Sequence, residues 1–323
     1  MQRAMSSSAV IATDSTLDDL RGQIRREPGT VYAILDACDE PRVPEKVQEL
    51  GEQRAVSLYR GRAEEDYWAI APHLAQIDEA LLDWIVENLW DDPWGIFVVA
   101  QVEMSALRTH FRRFLMVEAP DGRKLYFRFY DPRMLPVFLR SCTPAEAKLF
   151  FGPIRRFCVK GEDGKLVRLD PADLPADARQ KERGRLVGGA SPAWPTSVTE
   201  RSPFRVREGQ MRAFSEELET RFVTRMVRHL RDDFPADLAR QKLEVKDLEP
   251  LVRRGLAESR KYGVVNEGDV ERYVECMVVL SPSFDVDPKF RWAKEILQRE
   301  DLDGESKMDE IDEYRIFGLE NPV

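Results

Sequence analysis

Residues 124–133 constrain the fold most, because a strand pattern, a turn and a helix start meet within this stretch. Phe127 and Phe129 alternate along it with more polar residues, and a period of two is typical of a strand with one buried face. The pair Asp131-Pro132 then predicts a helix start. An aspartate accepts hydrogen bonds from the first free N–H groups of a helix, and proline needs no donor at the first position. We therefore interpret Asp131 as a helix cap rather than as an acid or base.

A β-hairpin is predicted just upstream of this strand. Asp121-Gly122 lies between residues 114–117 and the strand, and an Asp-Gly pair supplies the positive φ angles that tight hairpin turns need. The hairpin would place Arg128 and Tyr130 beside the residues of the neighbouring strand.

The first apolar run of the chain predicts an α/β layer. Residues 30–38 are almost continuously apolar, which is typical of a strand that is covered on both faces. A short helix over 44–50 and a strand over 54–59 follow, and this order favours at least partly parallel pairing. Asp36 ends the first strand, where many α/β enzymes hold a carboxylate. We assign it a turn or cap role because no second carboxylate motif accompanies it.

Further helices and strands are predicted up to residue 169. Thr143-Pro-Ala-Glu146 is a capping box that starts one helix. His110 lies near the end of another, where positive groups oppose exposed carbonyls, and we interpret it as a capping residue rather than a metal ligand. Apolar residues predict helices over 78–89, 103–113 and 133–140 and strands over 96–100, 154–159 and 166–169.

The second half of the chain has a helical pattern. Met211, Phe214, Phe222 and Met226 belong to a stripe that steps by three or four residues, and such a stripe is more often core than binding groove. Shorter helices are predicted near 248–262 and 269–280, and Asp287-Pro288 predicts another start. We expect the acidic residues 301–313 to be loosely held.

These patterns together predict an α+β protein. An N-terminal α/β lobe with a mixed sheet flanked by helices would be followed by a C-terminal all-helical lobe. We expect four parts: an N-terminal extension at 1–29, an α/β domain at 30–169, a proline- and glycine-rich linker or long loop at 170–203, and a helical lobe with an acidic tail at 204–323.

Charge and cysteine content exclude several classes of function. The net charge is −9, so the overall field repels nucleic acid and anionic lipid. The cysteines are scattered without a Cys-x-x-Cys pair, so we expect no zinc-finger site and no disulfide framework, and we interpret each as a small buried residue: Cys38, Cys142, Cys158 and Cys276. Neither a membrane-spanning run nor a secretory signal pattern is present, and we expect a cytoplasmic protein without membrane insertion.

Two alternative functions rest on individual side chains rather than on a recognisable motif. A hydrolase-like enzyme would use Asp36, His110 and Asp131, and it would require these side chains to converge in one pocket. A nucleic-acid binder would use four arginines with two tyrosines: Arg108, Arg112, Arg113 and Arg128 with Tyr126 and Tyr130. The sequence contains neither a nucleotide-binding glycine motif nor a nucleophile elbow, and we expect no cofactor.

A set of short motifs occurs in a characteristic order. The motifs are Tyr32-Ala-Ile-Leu-Asp36, Ala71-Pro-His-Leu74, Trp94-Gly95, Leu107-Arg-Thr-His-Phe-Arg-Arg113, Phe127-Arg-Phe-Tyr-Asp-Pro-Arg133, Leu139-Arg-Ser-Cys-Thr143 and Phe150-Phe-Gly-Pro153. In this order they resemble the adaptor chaperones of type VI secretion, domain-of-unknown-function proteins called Tap or Tec. Genes for these adaptors usually lie between those for a VgrG spike and its toxic effector. The resemblance covers roughly residues 30 to 160, and the ordered set is far more specific than any one motif.

The resemblance implies a non-enzymatic function. Such an adaptor holds a cognate effector in the cytoplasm, shields the effector's N-terminal region and delivers it to the VgrG or PAAR spike. We expect the first lobe to dock through its motif surface and the helical lobe to give effector specificity. The candidate partner-binding residues are Arg113, Arg128, Asp131 and Arg133 in the first lobe and Phe222, Met226 and Trp292 in the second.

Overall fold

A computed structural model describes residues 14–38, 40–173 and 203–317. The chain divides into two compact units, Met1–Ser215 and Glu216–Val323. The elements of the first unit are, in chain order, α1 Asp14–Arg25, β1 Thr30–Asp36, α2 Arg42–Leu50, β2 Ala55–Ser57, α3 Arg62–Asp66, β3 Pro72–Gln76, α4 Glu79–Asn88, β4 Gly95–Ala100, α5 Met104–Arg112, β5 Met116–Glu118, β6 Lys124–Tyr126, α6 Leu135–Ser141, α7 Pro144–Phe151, β7 Ile154–Lys160, β8 Leu166–Leu169, β9 Phe204–Arg205 and the start of α8 Glu208–Asp233.

A six-stranded sheet organises the first unit. Its order is β2-β3-β1-β4-β7-β8, and each described pair of neighbours is antiparallel. The expected partly parallel pairing is therefore wrong for this sheet. β1 and β2 do run in the same direction, but β3 lies between them and pairs with both. A smaller sheet has the order β6-β5-β9, and there β5 pairs in parallel with β9.

Both faces of the large sheet are covered, as the apolar run of β1 predicted. Tyr32 and Ile34 contribute to a core that α5, α6 and α7 complete with phenylalanines. Ala33 and Leu35 point to the opposite face, where α1, α2 and α4 supply the covering side chains. The alternation of side chains along a strand thus divides one apolar run between two cores.

The predicted capping box forms at α7, and an aspartate caps α4. The side chain of Asp78 accepts a hydrogen bond from the N–H of Leu81 at 2.9 Å and caps α4. Thr143 and Glu146 form both bonds of the capping box at the start of α7. α1, by contrast, lies within the segment 1–29 that we expected to be an extension, and its Leu20 belongs to the core.

The second unit consists of helices around its own core. After α8, it contains α9 Pro235–Gln241, α10 Val245–Lys261, α11 Glu267–Val279, α12 Arg291–Leu297 and α13 Gly304–Phe317. The expectation that residues 301–313 are loosely held is wrong. Most of them form α13, in which Met308 and Ile311 are fully buried.

The predicted fold class is confirmed: an antiparallel sheet and a smaller mixed sheet, with helices, precede an all-helical region, α8–α13. Most of the expected linker, residues 174–202, lies outside the described residues. No helix in the described part of the chain is long and apolar enough to cross a membrane. Cys142, Cys158 and Cys276 are buried as expected, whereas Cys38 is exposed.

Candidate functional site

The segment after β6 turns inward instead of continuing as a strand. The strand ends at Tyr126, and residues 127–130 are irregular and end in a turn. Phe127 donates one more backbone hydrogen bond, to the carbonyl of Leu115 at 2.8 Å, before the chain leaves the hairpin. Phe127 and Phe129 are buried as the alternation predicted, but Tyr130 is buried too because the turn carries it under the surface.

An ion pair ties this segment to the end of β1. The Arg128 guanidinium donates to the Asp36 carboxylate, which is almost fully buried. The same carboxylate accepts a hydrogen bond from the N–H of Cys38 at 3.1 Å, which is the turn role we predicted for Asp36. A buried carboxylate is stable only with such partners. The pair therefore fixes the position of the motif segment against the large sheet.

Three tyrosines contact one another in a row that ends beside this ion pair. The hydroxyls of Tyr126 and Tyr130 are 2.9 Å apart, and the ring of Tyr59 packs edge-on against Tyr126 with centroids 6.0 Å apart. Burial and the nearby Asp36 carboxylate raise the pKa of Tyr130 above its ordinary value, so its hydroxyl stays protonated. Part of the Tyr126 side chain remains at the surface.

Two exposed apolar side chains lie side by side on the hairpin. Met116 of β5 is directly opposite Tyr126 of β6, and they are 46% and 40% exposed. Among the described strands, β6 forms an edge of the smaller sheet. An edge strand offers unpaired backbone groups to a further strand. We call Met116, Tyr126 and the edge of β6 the hairpin face. Sequence reasoning missed Met116, although the register set by Asp121-Gly122 places it opposite Tyr126.

Asp131 and Arg133 form a second polar group. Nε of Arg133 lies 2.8 Å from Oδ1 of Asp131, and Nη2 lies 2.7 Å from Oδ2, in a bidentate arrangement. The Asp131 side chain also accepts from the backbone N–H of Arg133. The prediction that Asp131 caps the helix is wrong, because α6 begins only at Leu135 and Asp131 instead stabilises the turn before it. The side chain of Arg133 is 43% exposed while it holds this pair.

Arg113 lies at the end of α5 and is half-buried. Its guanidinium carbon is 5.9 Å from the ring centroid of Phe114, a cation–π contact. Of the four docking candidates in the first unit, Arg128 and Asp131 thus hold the local structure. Arg133 holds Asp131, and at 43% its side chain is more exposed than that of Arg128 at 32%.

The three residues of the enzyme alternative each bind a different residue. His110 is buried, and its Nε2 lies 2.7 Å from the carbonyl oxygen of Phe150 at the end of α7. Burial lowers the pKa of His110. The predicted capping of its own helix is therefore wrong, since it binds a carbonyl of another helix. Asp36 pairs with Arg128, and Asp131 pairs with Arg133.

The arginines of the nucleic-acid alternative are bound within the protein. Nε of Arg108 donates to the carbonyl of Ser57 at 2.9 Å, and Nε of Arg112 donates to that of Leu58 at 3.0 Å. Glu64 pairs with both guanidinium groups. These bonds satisfy carbonyls at and beyond the edge strand β2, so the two arginines support the fold locally.

The candidates in the second unit differ in accessibility. Phe222 and Met226 belong to the core of that unit, and a partner reaches them only if the core opens. Trp292 is half-buried, and its indole ring stacks on Tyr314 with centroids 4.9 Å apart. Of the three, Trp292 alone is partly exposed.

Comparison with known families identifies the part of the first unit that carries these features. Residues 31–149 match the family described as Domain of unknown function (DUF4123). These residues are a DUF4123 domain. The family is known as the type VI secretion effector adaptor family, Tap or Tec, and it is a family of non-enzymatic adaptors. The resemblance predicted from the motifs is thereby confirmed. No curated protein and no solved structure matches the chain.

Proposed function

We propose that this DUF4123 protein is a cytoplasmic adaptor that binds a cognate type VI secretion effector and loads it onto the VgrG or PAAR spike. The observation that carries the proposal is the match of residues 31–149 to a family of effector adaptors. The geometry is compatible with this function. The ion pairs of the first unit, including Asp36–Arg128, hold its own segments together.

The hairpin face is the surface that we assign to the effector. Its Met116 and Tyr126 are neighbouring exposed apolar side chains, and β6 is an edge to which an extended segment can add by backbone pairing. Aromatic side chains contribute strongly to protein interfaces. The N-terminal region of the effector would bind here as an added strand, and the exposed Arg133 would pair with an acidic side chain of the effector. In the second unit, Trp292 would contribute to the choice of effector.

The first experiment identifies the partner. The protein is co-expressed with the proteins encoded by neighbouring genes, affinity-purified and analysed by mass measurement. We expect a stable complex with the adjacent toxin, and secretion of that toxin is expected to stop when the adaptor gene is deleted. Normal secretion of the toxin without the adaptor would refute the proposed function.

The second experiment tests the surface. Met116→Glu places a charge on the hairpin face, and Val167→Glu places the same charge on the exposed valine of β8 as a matched control. Loss of one interface anchor costs more than about 1.4 kcal/mol, so we expect Met116→Glu to weaken effector affinity by about tenfold or more, while Val167→Glu leaves it unchanged. Thermal unfolding establishes that both variants are folded. Equal effector retention by the two would remove the hairpin face from the proposal.

Charge reversal tests the assigned role of Arg133 separately. Arg133→Glu removes the exposed cation and places a carboxylate beside Asp131, so the variant is compared with wild type first for folding and then for effector binding. A folded Arg133→Glu protein that co-purifies with the effector as wild type does would exclude a docking role for this arginine.

A further inference from the structure

A histidine and two glutamates meet between two helices of the second unit. His229 lies on α8, and Glu271 and Glu275 lie four residues apart on α11, so that both carboxylates project from one face of that helix. Nε2 of His229 is 2.8 Å from Oε1 of Glu275 and 3.9 Å from Oε1 of Glu271. One nitrogen and two oxygen atoms of these residues all lie within 4.8 Å of one another.

Neighbouring side chains orient all three groups. Oδ2 of Asp233, one helical turn after His229, lies 2.8 Å from Nδ1 of the imidazole. A proton held between these two atoms leaves Nε2 directed at the glutamates. Metal-binding histidines commonly have such a carboxylate on the other ring nitrogen, because it fixes the tautomer and raises the basicity of the ligand atom.

The second oxygen of each glutamate faces an arginine. Oε2 of Glu275 lies 3.9 Å from Arg315, and Oε2 of Glu271 lies 3.6 Å from Arg225. Each carboxylate therefore turns its Oε1 atom toward His229. The three groups are therefore close together and are also oriented by residues around them: Asp233, Arg225 and Arg315.

We propose that Nε2 of His229 and the Oε1 atoms of Glu271 and Glu275 bind one divalent transition-metal ion, with Zn²⁺ as the probe. In a tetrahedral zinc site with bonds of about 2.0–2.2 Å, the ligand atoms lie about 3.3–3.6 Å apart. The separations of 2.8 and 3.9 Å from Nε2 lie on either side of this range, and all three ligand atoms lie within 4.8 Å of one another, so side-chain movements would complete the geometry. The ion would replace the proton shared between Nε2 and Glu275.

The donor set selects the class of ion. An imidazole favours zinc-like ions over Mg²⁺ and Ca²⁺, which prefer oxygen ligands alone. His229 is 27% exposed, so water has access to the fourth position. Because the ligands come from α8 and α11, the bound ion would join these two helices and stabilise the folded second unit by mass action.

Zinc titration of the full chain tests the site. The protein is freed of any affinity tag, treated with a chelator and titrated calorimetrically, and we expect one equivalent of Zn²⁺ to bind. His229→Ala should lower the affinity at least tenfold, and Asp233→Asn should lower it by about tenfold or more through loss of orientation. Glu295→Gln is the matched control, since this exposed residue lies on α12 and pairs with Arg291 outside the cluster, and the variant should bind zinc as wild type does.

Two further measurements separate this site from other zinc-binding groups. Co²⁺ should give the intense visible absorption of a tetrahedral site in wild type and not in His229→Ala. Zn²⁺ should raise the unfolding temperature of wild type but not that of the folded His229→Ala variant. Absence of saturable one-to-one binding would overturn the proposal. So would binding that persists in His229→Ala or disappears in Cys38→Ser, which removes an exposed thiol.

Discussion

His73 should make the stability of the first unit sensitive to acid. It lies on β3, is fully buried, and pairs across the sheet with Leu35 and Ser57. Its Nε2 is 3.0 Å from the carbonyl oxygen of Trp68, while Nδ1 has no hydrogen-bond partner among the described residues. An imidazolium has two N–H donors and would leave one unsatisfied here. Burial accordingly lowers the pKa of His73 to about 4, from an ordinary value of 6.5.

The sign and size of the effect follow from these values. Between pH 6.5 and about 4 the unfolded chain binds a proton at His73 that the folded chain does not bind. The free energy of unfolding therefore falls as the pH falls through this window. At about 1.4 kcal/mol per pH unit, the contribution lost across the whole window is about 3 kcal/mol. Above pH 6.5 the residue contributes no pH dependence.

Urea unfolding at several pH values measures this contribution. The free energy of unfolding of wild type, His73→Gln and His73→Phe is compared from pH 7.5 down to 5. Gln keeps a donor near Trp68 and Phe keeps a ring, so their stabilities at neutral pH should differ. Both should nonetheless lose about 1.4 kcal/mol less than wild type for each pH unit below 6.5. Parallel curves for wild type and both variants would refute the reasoning.

Two further predictions concern the second unit. Gly255→Ala should lower the free energy of unfolding by about 1–3 kcal/mol despite its better helix propensity, because the added Cβ would lie 2.5 Å from a Val274 methyl. Gly268→Ala, where no atom lies within 4 Å, should instead leave stability unchanged or raise it by up to about 1 kcal/mol. Met226→Ala should cost about 2–5 kcal/mol, and Leu218→Ala at an exposed position of the same helix less than about 0.5 kcal/mol. Chemical denaturation measures all four changes; equal losses for the members of either pair would contradict the described packing.

Local features of the sequence predicted much of the fold. The apolar run of β1 gave a strand with two covered faces, and the stripe through Met226 gave the long helix α8. The capping box of Thr143 and Glu146 was recognisable because both of its bonds join residues three apart. In each case the residues that determine the element are close in sequence or recur with the period of the helix or strand.

Local sequence patterns did not predict the contacts between segments that are distant in the chain. The order strand, helix, strand along the chain correctly predicted that β1 and β2 run in the same direction. Side-chain periodicity, however, does not reveal that β3 lies between them in the sheet. In α13 the frequent acidic residues obscured Met308 and Ile311, which lie three apart on one face and are buried.

The candidate site shows the same limit. Asp36 and Arg128 are 92 residues apart, so no local pattern joins them. The order of motifs identified the family, and the hairpin turn fixed which residues face each other across β5 and β6. The ion pair and the inward turn after Tyr126 became visible only in the folded chain.

The return of the chain at β9 has a practical consequence for producing the DUF4123 domain. Phe204 and Phe214 place their rings 5.7 and 6.4 Å from that of Phe138, and Phe204 also joins the strand pairing of β5. A polypeptide that stops at residue 149, where the family match ends, lacks both rings. It would expose the apolar surface around Phe138 to water, and such a surface favours aggregation. Expression of the first unit should therefore extend to at least residue 215.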